Sequence, residues 1–87
     1  MIVVFKECAF RHGFDAKDFY EVQRNPCRVF RSRRGHPNVY EILGRTDAGE
    51  YLHVITRRRR SGPEMIVIVF HMDLMNPSDR KRYREAV

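Results

Sequence analysis

The sequence has little cysteine: only Cys8 and Cys27, with no CxxC motif and no zinc-type cysteine pair. Two cysteines are too few for a disulfide framework, so we expect two buried free thiols in a reducing cytoplasm. The apolar run at residues 2–5 is followed at once by Lys6 and Glu7, and it is too short for a signal peptide or a membrane span. The sequence therefore predicts a cytoplasmic protein with no membrane contact.

Several kinds of catalytic motif are also missing. The four histidines show no ligand spacing such as HxxxH, so the sequence predicts no metal site and no cofactor. None of the three serines lies in a GxSxG motif, which argues against a serine hydrolase. No repeat, low-complexity tract or boundary divides the chain, and we expect one small domain over residues 1–87.

Positive charge, by contrast, is in excess. Seventeen Lys and Arg residues oppose eleven Asp and Glu, a formal charge of +6. Most of the positive residues are arginine, whose planar guanidinium binds phosphate through two hydrogen bonds. Charge and arginine clustering favour a nucleic acid as partner. The alternatives are a surface that binds an acidic protein, or one that binds nothing.

The longest apolar run, Met65–Met72, is rich in β-branched residues and predicts the central strand of a sheet. Upstream, Asp15 is predicted to cap a helix that runs to Asn25, with Asp18 in its acidic first turn. A shorter helix is predicted at Glu7–His12. The segment at residues 2–5 is either an edge strand or the lead into that first helix.

Period-two patterns predict three more strands, one from Cys27 through Phe30, one at Val39–Leu43 and one at Tyr51–Thr56. Residues 44–49 have the composition of a hairpin turn, with Gly49 suited to positive φ, and residues 57–63 predict a mobile, very basic second loop. After the central strand, Asn76 is predicted to cap a short basic helix that starts at Pro77. The fold class is therefore α+β. It comprises two short N-terminal helices, an antiparallel meander of three or four strands and a short C-terminal helix, with the helices on one face of the sheet.

RNA cleavage by its own 2′-hydroxyl needs a base, an acid and cations, but neither a metal nor a protein nucleophile. His71, at the end of the central strand, is the first candidate, the alternative being a histidine that hydrogen-bonds within the fold. Tyr83 suits catalysis or base stacking as well as core packing. Arg45 and Arg57 flank the hairpin strands and are candidate phosphate ligands. His53 alternates with apolar neighbours and is predicted to lie on the exposed face of its strand.

Three segments in order resemble the BrnT-like toxins, relatives of the RelE/ParE-like toxins of bacterial type II toxin-antitoxin systems. They are Ala9–Gly13 (Ala-Phe-Arg-His-Gly), Gly44–Gly49 (Gly-Arg-Thr-x-x-Gly) and His71–Pro77, the last followed by a basic helix containing tyrosine. Where many members end the last strand with Ala-Arg, this chain reads Met72-Asp73, and tryptophan is absent. On this interpretation His71 supplies what the arginine otherwise does.

The resemblance implies a metal-independent endoribonuclease that inhibits translation, acts on RNA free or on the ribosome, and is held inactive by a cognate antitoxin protein. The predicted catalytic residues are His71, Tyr83, Arg45 and Arg80. The predicted RNA-binding residues are Arg11, His12, Arg57, Arg58, Arg59, Arg60, Lys81, Arg82 and Arg84. His12, which precedes a glycine, is also a candidate capping residue. The alternative function is a non-catalytic module that binds nucleic acid or an acidic antitoxin segment.

Overall fold

The computed structural model describes residues 1–32 and 35–85, so part of the segment between the strands predicted at Cys27–Phe30 and Val39–Leu43 lies outside the described residues. The elements, in chain order, are β1 (Ile2–Phe5), a 3₁₀ helix (Glu7–Phe10), α1 (Ala16–Arg24), β2 (Arg28–Arg31), β3 (Val39–Arg45), β4 (Tyr51–Ser61), β5 (Glu64–Leu74) and α2 (Pro77–Glu85). Over these residues, no helix is long and apolar enough to cross a membrane.

One sheet of five strands, in the order β1-β5-β4-β3-β2, forms the body of the protein. The α+β class is confirmed, but the sheet is larger than the predicted three or four strands. All neighbours are antiparallel except β1, which pairs parallel to β5 and so resolves the open prediction for residues 2–5. The predicted first helix is a 3₁₀ helix of four residues, since so short a segment closes i→i+3 hydrogen bonds more readily than full α-helical turns.

Helix α1 begins as the sequence predicted. The Asp15 side chain accepts a hydrogen bond from the Asp18 backbone, and the Asp18 side chain accepts one from the Asp15 backbone. The helix packs so closely on β3 that a Cβ atom at Gly44 would lie 2.7 Å from Cγ1 of Val22. Gly44 thus belongs to the strand and not to the predicted turn, whereas Gly49, with a φ of 89°, holds the left-handed conformation expected of it.

Strand β4 is five residues longer than predicted, and this overturns the predicted basic loop. Residues 57–60 pair with residues 65–68 of β5, and the connection shrinks to Gly62 and Pro63. Because β5 is apolar and continuous here, its pairing with β4 continues beyond residue 56, where the arginines begin. The run Met65–Met72 lies inside β5 as predicted, but the middle strand of the sheet is β4.

The main core lies between the sheet and α1. Its buried residues are Ala9, Phe14, Phe19, Val22, Ile42, Leu52, Val54, Val69 and Met72. Alternation sends Leu43 to the other side of the sheet, which we call the α2 face, and there it is also fully buried. Helix α2 packs on this side, with the Tyr83 ring edge-on to Tyr51 at 5.9 Å between centroids. The prediction that all helices share one face is therefore wrong, because β3 and β4 carry apolar side chains on both faces.

A β-bulge in β5 decides which way His71 points. The β4–β5 register shifts by one residue after Val69, and Phe70 is the extra residue. Strict alternation from buried Val69 would turn residue 71 into the main core. The bulge moves the alternation by one position, so Met72 is fully buried and His71 lies on the α2 face. The Cys8 thiol donates a hydrogen bond to the Phe70 carbonyl at 3.1 Å.

One buried hydroxyl beside this bulge gives a stability prediction. Thr56 is fully buried, and its hydroxyl has no hydrogen-bond partner in the described part of the chain. Thr56→Val should raise the free energy of unfolding by about 1 kcal/mol, since it removes an unsatisfied polar group at constant shape. Thr46→Val is the matched control, because the Thr46 hydroxyl accepts a hydrogen bond from the Glu50 backbone at 3.1 Å and its loss should destabilise. Urea unfolding of both variants measures the effects, and an unstable Thr56→Val protein would contradict the prediction.

Candidate active site

Three histidines meet on the α2 face, although they are far apart in sequence. His71 lies on β5 opposite Ile55 of β4, and His53 lies two residues earlier on β4, on the same face. His12 follows the 3₁₀ helix. The ring centroids of His12 and His71 are 5.4 Å apart, and those of His71 and His53 are 5.9 Å apart. We call these three residues the histidine row.

His71, in the middle of the row, is half-buried. Burial lowers the pKa of His71 below its ordinary 6.5, the charges of His53, His12 and Arg11 lower it further, and Asp73 opposes them. The imidazole is therefore neutral at pH 7 and can accept a proton. Among the described residues its ring nitrogens make no hydrogen bond, so they are available to a ligand.

His12 is placed by an acidic partner. Its Nδ1 lies 3.7 Å from Oδ2 of Asp73, which stands two residues after His71 on the same face of β5. The other carboxylate oxygen of Asp73 accepts a hydrogen bond from the Leu74 backbone at 2.8 Å. Asp73, the position at which the sequence departs from the toxin pattern, therefore lies within ion-pair distance of an imidazole.

The third histidine belongs to a buried ionic network under α2. Oε1 of Glu41 lies 2.9 Å from Nε2 of His53 and accepts a hydrogen bond of the same length from Arg82. Arg82 also donates to Asp79 at 3.1 Å, and Asp79 lies 3.8 Å from Nδ1 of His53. Both carboxylates are buried. This network ties α2 to β3 and β4 and fixes the orientation of the His53 ring.

The network makes stability depend on pH. Burial opposes ionisation of Glu41, but hydrogen bonds from Arg82 and His53 outweigh it and hold the pKa of Glu41 below its ordinary 4.5. The unfolded chain therefore binds this proton more readily, and the stabilisation is complete above pH 4.5 and lost as pH falls through the lower folded value. Urea unfolding between pH 6 and pH 3 should show a smaller loss for Glu41→Gln than for the parent. Equal losses in the two proteins would contradict this assignment.

A hollow of about 670 Å³ adjoins the row on the α2 face. Its apolar floor comprises Val39, Ile55 and Phe70, and Arg57 lies at its rim. The remaining lining residues are Ser32, His36, Glu41 and His53. The hollow is large enough for a nucleotide, and one wall is an imidazole of the histidine row.

The four consecutive arginines are dispersed over both faces of β4. Alternation places Arg57 and Arg59 on the α2 face and turns Arg58 and Arg60 to the α1 side. The Arg58 guanidinium lies over the Tyr40 ring, 4.2 Å from its centroid. The predicted RNA-binding residues of this segment therefore do not share one surface. Of the four, Arg57 alone lines the hollow.

The predicted catalytic group does not assemble around His71. Arg80 stacks over Tyr51 at 4.8 Å, and the Tyr83 hydroxyl donates to the Pro26 carbonyl at 2.9 Å. Arg45 is the cross-strand partner of Tyr51. Tyr51 stands four residues along β4 from the partner of His71, or about 13 Å. These three predicted catalytic residues therefore gather at the other end of the sheet.

The positive residues predicted to bind RNA also fall into separate groups. Arg11 is exposed and near enough to His71 for its charge to lower the pKa of that imidazole. Lys81 and Arg84 are exposed on α2. Arg82, which was also predicted to bind RNA, donates hydrogen bonds to Glu41 and Asp79. The network under α2 thus holds this guanidinium against the sheet.

Both cysteines are free, as predicted, but their environments differ. Cys8 is exposed, which contradicts the predicted burial, because Ala9 is the residue of the 3₁₀ helix that faces the core. Cys27 is half-buried, and burial raises the pKa of its thiol. Within the described residues, neither thiol hydrogen-bonds to the histidine row, and Cys8 donates instead to the Phe70 backbone carbonyl.

Sequence reasoning missed the acidic half of this site and one histidine. The prediction placed His53 on an exposed strand face, whereas only 17% of its side chain is exposed. Glu41 and His53 lie on the same face of adjacent antiparallel strands, two residues apart in register. A prediction of the β3–β4 register would have shown that the two side chains are neighbours. Histidine spacing likewise could not reveal that His12 meets His71 and Asp73, because His12 follows the 3₁₀ helix near the start of the chain whereas the other two lie together on β5.

A scan against models of known protein families finds no match to this chain, and a search of curated proteins finds no relative. The function must therefore be argued from the arrangement of side chains on the α2 face. That arrangement combines a neutral half-buried imidazole, a second imidazole beside a carboxylate, nearby guanidinium groups and a hollow of nucleotide size.

Proposed function

We propose that this protein is a metal-independent endoribonuclease that cleaves single-stranded RNA on the α2 face. The observation that carries the proposal is the contact between His71 and His12, 5.4 Å apart, beside a hollow of nucleotide size. Two imidazoles in different environments suit the two proton transfers that cleavage by a 2′-hydroxyl requires.

The reaction is a transesterification within the RNA. Neutral His71 takes the proton of the 2′-hydroxyl, and the oxygen attacks phosphorus. His12, in its protonated form and oriented by Asp73, gives a proton to the departing 5′-oxygen. The products are a 2′,3′-cyclic phosphate and a 5′-hydroxyl, and no electron acceptor or metal enters the balance. His12 is exposed, so its side chain can swing away from His71 to admit the phosphate.

Substrate binding is supported by the groups around the two imidazoles. Arg11 and Arg57 supply positive charge for the phosphates, and charge-assisted hydrogen bonds to an oxyanion strengthen as charge develops. The apolar floor of the hollow, including Phe70, suits a splayed-out base of a single strand. A duplex would not offer its bases to such a hollow.

The resemblance of three segments to BrnT-like toxins supports a cellular role for the proposed activity. We infer that the protein acts in the bacterial cytoplasm as the toxin of a type II toxin-antitoxin pair, inhibiting translation until a cognate antitoxin binds it. A basic chain of net charge +6 is a suitable partner for an acidic antitoxin segment. Growth arrest on expression, relieved by the protein encoded beside it, tests this part of the proposal.

The direct test is incubation of the purified protein with a labelled single-stranded RNA in excess EDTA. The expected result is cleavage, with a 2′,3′-cyclic phosphate at the new end and no cutting of DNA of the same sequence. RNA that is retained but intact would favour the non-catalytic binding module and overturn the enzyme. Cutting that requires an added metal would contradict the metal-independent mechanism.

A further inference from the structure

His12, His71 and Asp73 each bring one potential ligand atom to the same point on the α2 face. These three atoms lie within 4.8 Å of one another. We propose that they form a binding site for a divalent transition metal, with Zn²⁺ as its best-fitting occupant. The site goes beyond the proposed ribonuclease activity and stands on the ligand geometry.

The distances are close to those a bound ion requires. Zinc lies about 2.0–2.2 Å from nitrogen and oxygen ligands, so tetrahedral ligand atoms stand roughly 3.4 Å apart. The separation of 3.7 Å between His12 Nδ1 and Asp73 Oδ2 nearly meets this value. Both side chains are more than a third exposed and can move the remaining distance, while His71 is held by β5 next to the bulge.

The ligand atoms are also available. Within residues 1–32 and 35–85, His71 makes no hydrogen bond, and Oδ2 of Asp73 has no partner but His12. The backbone amide of Leu74 occupies the other carboxylate oxygen, which fixes Asp73 as a ligand through one oxygen. Ligating carboxylates are commonly held by such a second hydrogen bond.

Two imidazoles and one carboxylate select the kind of metal. Imidazole suits zinc and its transition-metal neighbours, whereas magnesium and calcium prefer oxygen ligands. Three protein ligands leave a fourth tetrahedral position open to water or phosphate. The exposure of His12 and Asp73 gives an ion access from solvent.

A second group of three potential ligands provides an internal contrast. Glu41, His53 and Asp79 also bring ligand atoms within 4.8 Å of one another. The Arg82 guanidinium already donates to both carboxylates and is a cation in the place an ion would take. In the part of the chain that the structure describes, no Lys or Arg is bonded to the carboxylate of the group around His71, and this group is therefore the site we assign.

Calorimetric titration of the metal-free protein with Zn²⁺ tests the site, with no RNA present. The expected result is one ion per chain. His12→Ala removes one ligand and should weaken zinc binding by at least about 10–100-fold, since changing even an outer-shell partner costs that much. His12 is exposed in a turn, so this variant should retain its fold, which thermal unfolding checks. His36→Ala is the matched control, because it removes an exposed imidazole that belongs to neither group.

Cobalt(II) provides a second measurement. Its visible spectrum on binding should report a four-coordinate site in the parent and in His36→Ala, and change or vanish in His12→Ala and Asp73→Asn. Absence of zinc binding in the parent would overturn the proposal. So would equal affinity in the parent, His12→Ala and Asp73→Asn, since the ion would then lie elsewhere.

A consequence for activity rests on the proposed function. Bound zinc would occupy the lone pairs with which His71 and His12 handle protons, so Zn²⁺ should inhibit RNA cleavage and EDTA should restore it. The two proposals can fail separately. A protein that binds zinc but does not cleave RNA in EDTA would overturn only the ribonuclease proposal. A protein that cleaves RNA in EDTA but binds no zinc would overturn only the metal-site proposal.

Discussion

His71→Ala is expected to slow RNA cleavage by about 10²–10⁴-fold, the usual contribution of a well-placed general base. The reason is that the imidazole of His71 is neutral and its ring nitrogens make no hydrogen bond within the described residues, so it is the assigned proton acceptor, and alanine supplies no such group. Rates measured on a labelled RNA under single-turnover conditions give the effect on the chemical step. Adding free imidazole to His71→Ala should recover part of the rate, which a purely structural role would not allow.

The control for this experiment is Gln23→Ala, an exposed change on α1, on the other side of the sheet. It should cleave at the parent rate. His12→Ala should lose activity with a different pH profile, because it removes the proton donor and leaves the acceptor. A His71→Ala protein that is folded and as active as the parent would refute the role assigned to this residue.

Arg82→Met is expected to lower the free energy of unfolding by roughly 2–4 kcal/mol. Methionine fills similar volume but leaves the buried carboxylates of Glu41 and Asp79 without their cation, and breaking a buried pair costs more than the pair contributes. The expected loss of stability lies in the lower part of the range for breaking a buried ion pair, because 21% of the Arg82 side chain is exposed and solvent screens its charge. Urea unfolding at pH 7 measures it.

Two further variants separate the network from general effects of charge removal. Arg84→Met removes an exposed arginine from the same helix and should change stability by less than about 0.5 kcal/mol. Glu41→Gln combined with Arg82→Met should cost less than the sum of the two single changes, since the orphaned charge is removed with its partner. Equal losses in Arg82→Met and Arg84→Met would show that the network does not stabilise the fold.

The elements that could be predicted from sequence are those set by local chemistry. The cap of α1 at Asp15, the start of α2 after Asn76 and the apolar strand at Met65–Met72 all follow from neighbouring residues. The end of β4 could not be predicted from neighbouring residues alone. Four arginines look like a loop until the apolar ladder of β5 is paired against them.

The candidate site was predictable only in part, and the bulge explains why. His71 was identified from its place at the end of an apolar strand, but simple alternation from Val69 would have buried it. The single extra residue at Phe70 depends on pairing with β4, which the sequence of β5 does not encode by itself. His12 and Glu41 come from segments more than ten residues away, so their meeting with the strand histidines is a property of the sheet order.

The parallel pairing of β1 with β5 sets an order of events in folding. Residue 2 pairs with residue 66 and residue 5 with residue 69, so this edge closes the longest loop in the sheet. Closing a long loop is slow, whereas the two-residue connection between β4 and β5 brings their ends together at once. Strand β1 can therefore pair only after β5 has formed, and the turn that carries His12, just after the 3₁₀ helix, docks with it. The nuclease we propose would become active only once this edge of the sheet has closed.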